Sequence, residues 1–466
     1  MSELKTAYEL ALPREQTEEE SYIPEFVTDF KFPGKDGFVP VNIDGEDEPE
    51  RETILPIPQK SNEESSIKVQ IEQPESITYG DKFMEAHWYG DFLSYTGFSR
   101  MNRSMVFGLS NRMVRIKIEQ ANPNGTTVNQ ATQAQLEFLQ NNVISPRAPK
   151  IYGATVPLSF MHEGRKILYT MIETSGKVHA DYAGKLNLFD EIWVPTEYGR
   201  KILSASKVHP QIHVMPLGVD ISRYNTEIDK RKVDGIPSMN GFVFLSVFRW
   251  SYRKGFDLLL RAYLEEFSGK DDVSLLLVSR ALDVPEQQSA KRIAEDFNGI
   301  RSCINKNDDE LPHVALYVKP IPESKMPLLY KQADAFALMS RGEGFGLPYC
   351  EAGACGLPVI ATHCSGHSDF IRDDTAFVVE PEGYETATIS GNLSRMAKLC
   401  HFYEGQEFPV FGRQSIEKIK EHMRYIVENY SEAQKKARKL QSVIWNNYTW
   451  EMAVDRVYAR LKIIAD

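Results

Sequence analysis

Two glutamates set among small residues mark the part of this 466-residue chain best suited to chemistry. Residues 341–357 read RGEGFGLPYCEAGACGL, with Glu343 in a loop of Gly342, Gly344 and Gly346, and Glu351 three residues after Pro348. Pro348 fits the first turn of a helix, where a missing N–H costs nothing. Glycines just before a helix N-terminus bare backbone N–H groups, and with the helix dipole these make a site for phosphate. A carboxylate buried among small apolar residues needs hydrogen-bond partners. Adjacent hydroxyls of a sugar ring or a ribose supply them. The bland alternative is an ordinary strand-to-helix turn. A dinucleotide fingerprint is disfavoured, because Gly342-x-Gly344-x-Gly346 is not G-x-G-x-x-G. A second charged cluster lies upstream in 248–255, FRWSYRKG. Arg249 and Lys254 sit on a loop at a strand's carboxyl end, where an Arg fork and a Lys point charge can clamp a diphosphate. Alone these would read as two solvated loop cations; beside the Glu343/Glu351 loop they read as a clamp.

Alternating strands and helices must position these residues. The pattern predicts strands over 84–89, 114–118, 150–156, 166–172, 191–195 and 212–215, with helices over 99–109 (Ser99 as its cap), 130–141, 179–189 and 197–205 between them. A polar stretch over 222–240 reads as a linker. A second series follows: strands over 242–248, 273–278, 314–318, 335–339 and 376–379, helices over 256–267, 286–297 and 323–332, then a helical tail over 414–429, 432–445 and 450–465. Two such series predict an α/β chain of two doubly wound, Rossmann-like domains facing a cleft, with ligands beyond the carboxyl ends of the strands.

The totals narrow the class. No apolar run approaches the roughly 20 residues of a membrane span. The N-terminus lacks a basic-then-apolar leader, and five cysteines without C-x-x-C pairing read as reduced thiols in a cytoplasmic protein. Residues 1–80 hold 19 Asp/Glu against 7 Lys/Arg, while the rest is nearly neutral, which argues against nucleic acid as a partner. That acidic, proline-containing arm reads as an extended segment, with a homo-oligomer contact as its sharper reading. Arg100, Arg103, Arg112, Arg115 and Lys117 make the first domain locally basic. They suit a phosphorylated or lipid-linked acceptor or peripheral contact with an anionic membrane, but read more simply as a solvated helix face.

Glu343, Glu351 and the GFGLP between them resemble the signature of retaining glycosyltransferases of family 4 (group 1), which have the GT-B architecture. Arg249 and Lys254 match the family's Arg and Lys-Gly. Residues 169–175, 190–198 and 213–220 look like family segments, and 97–103, GFSRMNR, is similar to the loop whose backbone faces the donor phosphates. Tyr448-Thr449-Trp450 resembles the start of the last helix, which crosses back to the first domain. The resemblance covers about 84–466. The acidic extension over 1–80 lies outside it; within it the resemblance implies an acceptor-side domain over 81–221 plus 447–466 and a donor-binding domain over 222–446. It also implies a hexosyltransferase-like enzyme that uses a UDP- or GDP-sugar as co-substrate, needs no further cofactor, and acts on a carbohydrate, lipid-linked or protein hydroxyl. Arg249, Lys254 and the backbone of Gly97, Phe98, Gly344, Phe345, Gly346 and Leu347 would then face the diphosphate, Glu343 the sugar and Glu351 the ribose. No D-x-D triplet occurs, so cations would stand where other glycosyltransferases hold a metal. Where many relatives carry a first-domain histidine this chain reads Ile172-Glu173-Thr174-Ser175, leaving Glu173 or His179 as its replacement. Asp369 follows Ser365-Gly366 where relatives have Glu after Gly-Gly; it reads as shaping the loop. The competing reading is a nucleotide-sugar-binding partner subunit without turnover.

Overall fold

The computed structural model describes residues 84–465 apart from 122–127, 156–163, 228–232, 234, 237–238, 240, 282, 392 and 396–402. The acidic arm and part of the 222–240 stretch therefore lie outside the described residues. The first domain runs β1 (Glu85–Gly90), α1 (Gly97–Ser110), β2 (Arg115–Gln120), α2 (Gln130–Gln140), β3 (Lys150–Gly153), β4 (Lys166–Tyr169), α3 (Ala180–Leu186), β5 (Glu191–Val194), α4 (Glu197–Ser204) and β6 (Gln211–Val214). The second runs β7 (Phe242–Trp250), α5 (Phe256–Glu266), β8 (Val273–Ala281), α6 (Ser289–Arg301), β9 (His313–Tyr317), α7 (Met326–Lys331), β10 (Ala335–Leu338), α8 (Leu347–Ala354), β11 (Val359–Thr362) and β12 (Phe377–Val379). Both sheets are six-stranded and parallel, ordered β2-β1-β3-β4-β5-β6 and β12-β11-β10-β7-β8-β9. Near-continuous apolar runs such as FVFLSVF in β7 and LLLV in β8 suit strands covered by helices on both faces.

Each sheet reverses its build-out once, between β1 and β3 and between β7 and β10. These are the switch points at which open α/β sheets bind ligands. The cap of α1 differs from expectation: Thr96 accepts the Ser99 N–H at 3.1 Å, so the helix begins two residues before Ser99. Within 380–412, a stretch unread in the sequence, β13 (Gly383–Thr386) and β14 (Glu407–Val410) form an antiparallel pair outside the second sheet.

Three helices close the chain: α9 (Arg413–Glu428), α10 (Tyr430–Asn447) and α11 (Trp450–Ala465). The chain passes between the domains after β6 and again after α10, and the two passages touch. Val219 N–H donates to the Tyr448 carbonyl at 2.9 Å and Trp450 N–H to the Val219 carbonyl at 3.3 Å. A Cβ on Gly218 would stand 2.2 Å from the Thr449 carbonyl carbon, so glycine is needed for this approach. The last helix α11 then packs on α1, where a Cβ on Gly108 would meet Val454 at 2.4 Å.

A buried ion cluster anchors the far end of α11. Arg460 donates to both Glu191 oxygens at 3.0 and 2.8 Å, joined by Arg165 and the Trp193 indole N–H. Burial alone would raise the Glu191 carboxyl, but the hydrogen bonds from Arg460 and Arg165 outweigh it and hold it at about 2. A carboxyl depressed on folding stabilises above its unfolded value and loses that contribution as pH falls through the folded one. Glu191→Gln should therefore cost roughly 3 kcal/mol near neutral pH. The gap from wild type in thermal melts should narrow between about pH 4.5 and 2; a gap independent of pH would contradict this.

Candidate active site

The second switch point places Lys254 and Glu343 together. Trp250 ends β7, and a single tight turn, Tyr252–Lys254, leads to Gly255 at φ +68. A Cβ there would fall 1.7 Å from the Met339 carbonyl oxygen, so only glycine lets this turn lie against the end of β10. Arg341, 2% exposed, staples the two loops. It makes two parallel 2.8 Å bonds to Asp257, donates to the Tyr252 carbonyl at 2.8 Å, and lies 4.0 Å over the Tyr252 ring.

Lys254 Nζ lies 2.5 Å from Glu343 Oε1, both side chains being buried. Burial pushes the Glu343 carboxyl up, but Lys254 and Arg253 more than reverse this and hold it below the usual carboxylate range. The Glu343 N–H donates to Ser365 Oγ at 2.8 Å. Ser365 sits at φ 62 and ψ −162, a region natural to glycine. Behind it His367 stacks on Tyr349 at 4.5 Å, and burial lowers its imidazole to about 4. The neutral ring donates Nε2–H to the Thr362 carbonyl at 2.6 Å, which leaves Nδ1 to accept from the Ser365 hydroxyl at 3.4 Å.

The glycines of the loop have steric reasons the sequence did not reveal. A Cβ on Gly342 would lie 2.2 Å from the Glu173 carbonyl oxygen, and one on Gly344 2.5 Å from Met171 Cβ. These two glycines admit the first domain's chain, not only a ligand. Gly346, at φ +93, turns the chain into α8. Phe345 is buried against Phe370 and Tyr448 at ring distances of 5.3 and 5.8 Å, so only its backbone is available to a ligand. Among the described residues no protein acceptor takes the N–H groups of Phe345 and Gly346. Gly97 lies opposite Leu347: a Cβ on it would be 4.0 Å from Leu347 Cδ1, so the N-termini of α1 and α8 converge across the cleft beside Phe98. Two converging positive helix ends favour an anion.

Glu351, 3% exposed, accepts from Arg100 on one oxygen and from the Tyr330 hydroxyl at 2.6 Å on the other. Arg100 also reaches the Tyr224 hydroxyl at 3.0 Å and Glu323 at 3.2 Å. Arg103, also buried, donates to the Phe92 carbonyl at 2.7 Å. The reading of these two arginines as a solvated helix face is thus corrected: they sit at the domain boundary, where carboxylates and carbonyls compensate them.

Arg249 and Lys254 engage different partners. Arg249 donates to the Tyr95 carbonyl of the first domain at 3.0 Å, and Lys254 faces Glu343. Glu173 lies in the cleft, 3.1 Å from Arg253 and 2.5 Å from the Tyr403 hydroxyl. His179 caps α3 with a half-exposed ring, which stands 3.1 Å from where a Cβ on Gly405 would be. Asp369 accepts the Glu197 and Tyr198 N–H groups at 2.6 and 3.2 Å and so caps α4 of the first domain from the second. Sequence reasoning missed Arg341, Ser365, Tyr224, Tyr330 and Tyr403. Each acts through a partner distant in the chain, and no local pattern marks it.

Two parallel-sheet domains with their switch points facing one cleft define the GT-B architecture. Solved structures agree: Anabaena Alr3699/HepE in complex with UDP and glucose has a TM-score of 0.53 at 14% identity, over 81% of this chain and 99% of that one. Sucrose-phosphate synthase from Thermosynechococcus elongatus gives 0.56 at 15%, over 82% and 99%. Residues 240–394, the region that holds Lys254, Glu343 and Glu351, match the model of the family Glycosyl transferases group 1. Similar sequences include the alpha-monoglucosyldiacylglycerol synthase of Streptococcus pneumoniae, 29% identical over 38% of this chain and 38% of its own length. Another is the GDP-mannose-dependent alpha-(1-6)-phosphatidylinositol monomannoside mannosyltransferase of Mycolicibacterium smegmatis, 31% identical over 37% of this chain and 44% of its own. The chain thus matches less than half the length of either relative. No helix among the described residues is long and apolar enough to cross a membrane.

Proposed function

We propose that this chain is a metal-independent, retaining glycosyltransferase that moves a sugar from a UDP- or GDP-sugar to a hydroxyl acceptor. The observation that carries this reading is the buried Lys254–Glu343 pair at the second switch point, beside the converging N-termini of α1 and α8. The donor diphosphate lies at those helix ends, with the Phe345 and Gly346 N–H groups on it and Lys254 and Arg249 supplying positive charge. Glu343 accepts from sugar hydroxyls and Glu351 from the ribose. The bond from the anomeric carbon to the β-phosphate oxygen breaks as the acceptor oxygen bonds the same face. The acceptor's proton passes to the departing phosphate, so no glycosidase-type carboxylate pair is needed. In this reading residues 222–446 bind the donor, and 81–221 with 447–466 face the acceptor. The relatives' names point to a lipid-linked or polyol hydroxyl, met in the cytoplasm or at a membrane surface.

A panel of UDP-, GDP- and ADP-sugars tests the proposal by thermal stabilisation and slow hydrolysis. One nucleotide class should raise Tm and be consumed, with both effects lost in Glu351→Gln and Lys254→Ala. No stabilisation by any member would overturn the assignment.

A further inference from the structure

The described residues of 380–412 belong to neither six-stranded sheet, yet β14 and Tyr403 touch both sides of the cleft. On the first-domain side, the Glu407 carbonyl of β14 accepts the Ser175 N–H and the Thr174 hydroxyl, both at 2.8 Å. The chain at Gly176 runs so close that a Cβ would meet the Glu407 side chain at 2.6 Å. On the second-domain side, Phe408 is fully buried and stands 3.3 Å from where a Cβ on Gly342 would be. The segment therefore straps residues 173–176 to the loop that carries Glu343.

Its Tyr403 side chain also reaches into the cleft. The hydroxyl donates to Glu173 Oε2 at 2.5 Å, while Arg253 takes Glu173 Oε1 at 3.1 Å and also donates to the Gly342 carbonyl. The Arg253 guanidinium lies 5.9 Å from the Tyr403 ring centre. Both Glu173 oxygens are thus occupied by the strap and by Arg253. Arg253 in turn is tied to the residue before Glu343. The chain of contacts runs Tyr403, Glu173, Arg253, Gly342, and ends one residue from the Lys254–Glu343 pair.

We infer that Tyr403 is a positioning residue for the transfer reaction: through Glu173 and Arg253 it fixes the Gly342–Glu343 backbone against the first domain, so that the strap sets where Glu343 stands. This rests on the function proposed above and deepens it. It also gives Glu173 a different task from that of the missing histidine. Glu173 is a link between two domains rather than a group that meets the sugar. Donors from both sides hold the Glu173 carboxylate in one orientation, and an Arg held on two sides is a firm strut.

The test uses the full chain with Tyr403→Phe, which keeps the ring and removes the hydroxyl, and Tyr403→Ala, which removes both. Hydrogen exchange is measured without ligand at the amides of 342–345 and 173–176, and steady-state kinetics with the donor found in the panel. Tyr403→Phe should speed exchange at 342–345 and lower kcat at least about tenfold, with donor KM within about twofold, because only placement of the reacting groups is lost. Exchange like that of wild type overturns the inference, as does faster exchange with unchanged kcat. Exchange reports even if no nucleotide-sugar is consumed; in that case the proposed function fails while the strap is judged on its own.

Discussion

Replacing Lys254 by Met should remove turnover by about 10²–10³-fold and lower stability by about 3–5 kcal/mol. The two losses have different origins. Lys254 Nζ is the nearest counter-charge to Glu343, whose carboxylate is 5% exposed. Without it the carboxylate is buried beside Arg253 alone, and burial then dominates. Folding must either desolvate the charge or take up a proton, and each route costs free energy. The turnover loss has a separate source, because the positive charge proposed to meet the leaving diphosphate is gone. Adding Glu343→Gln to the Met variant should recover most of the stability, since no buried charge remains, and none of the turnover. Urea melts and single-turnover kinetics on the single and double variants separate these effects. A Met variant as stable as wild type would show that the pair is not the buried ion pair described.

Arg100→Met should carry the second large effect, and it should reach the nucleotide although Arg100 comes from the other domain. One guanidinium serves Glu351, Tyr224 and Glu323 together, so its fixed fork matters and Arg100→Lys should rescue little. Removing it leaves Glu351 with only the Tyr330 hydroxyl. A carboxylate has about four acceptor sites. Two donors orient it and leave capacity for a ribose; with one donor gone the buried carboxyl is no longer held in that orientation. Nucleoside diphosphate affinity by calorimetry should fall about tenfold or more, with a stability loss of about 3–5 kcal/mol. The contact is buried, so raising salt from 50 to 500 mM should not reproduce it, unlike a surface pair. Wild-type affinity in Arg100→Met would show that Glu351 needs no help from the first domain.

Much of this was legible in the amino-acid sequence because it rests on local rules. The strands announce themselves as apolar runs, and residues 450–465 form the last helix where periodicity places it. Pro348 and Gly346 mark the start of α8 through backbone sterics alone. Lys254, Glu343, Glu351 and Gly97 all reach one cleft. What stayed hidden was partnership. Nothing near Lys254 says that it faces Glu343, 89 residues away, while Arg249 turns to Tyr95. Arg253, which had no role in the sequence reading, is tied into the cleft by a tyrosine from a stretch with no periodicity. Its strands are four residues long, and one contains Pro409. Short edge-type strands carry too little pattern to be read. The glycine loop shows the converse: its spacing marks a turn at the cleft, but Gly342 and Gly344 are small chiefly to admit the first domain.

The side-by-side passages at Val219 and Tyr448 give the molecule an axle. Two passages of the chain bonded to each other at one spot resist twisting and shear more than bending, so a rotation of one domain against the other would pivot there. Tyr448 is part of that axle, and the rings of Phe345 and Phe370 rest on it at 5.8 and 5.2 Å. The loop proposed to hold the donor is thus seated at the pivot, where a given rotation moves atoms least. Leverage grows with distance from it, so the same rotation would displace contacts out along the arms most.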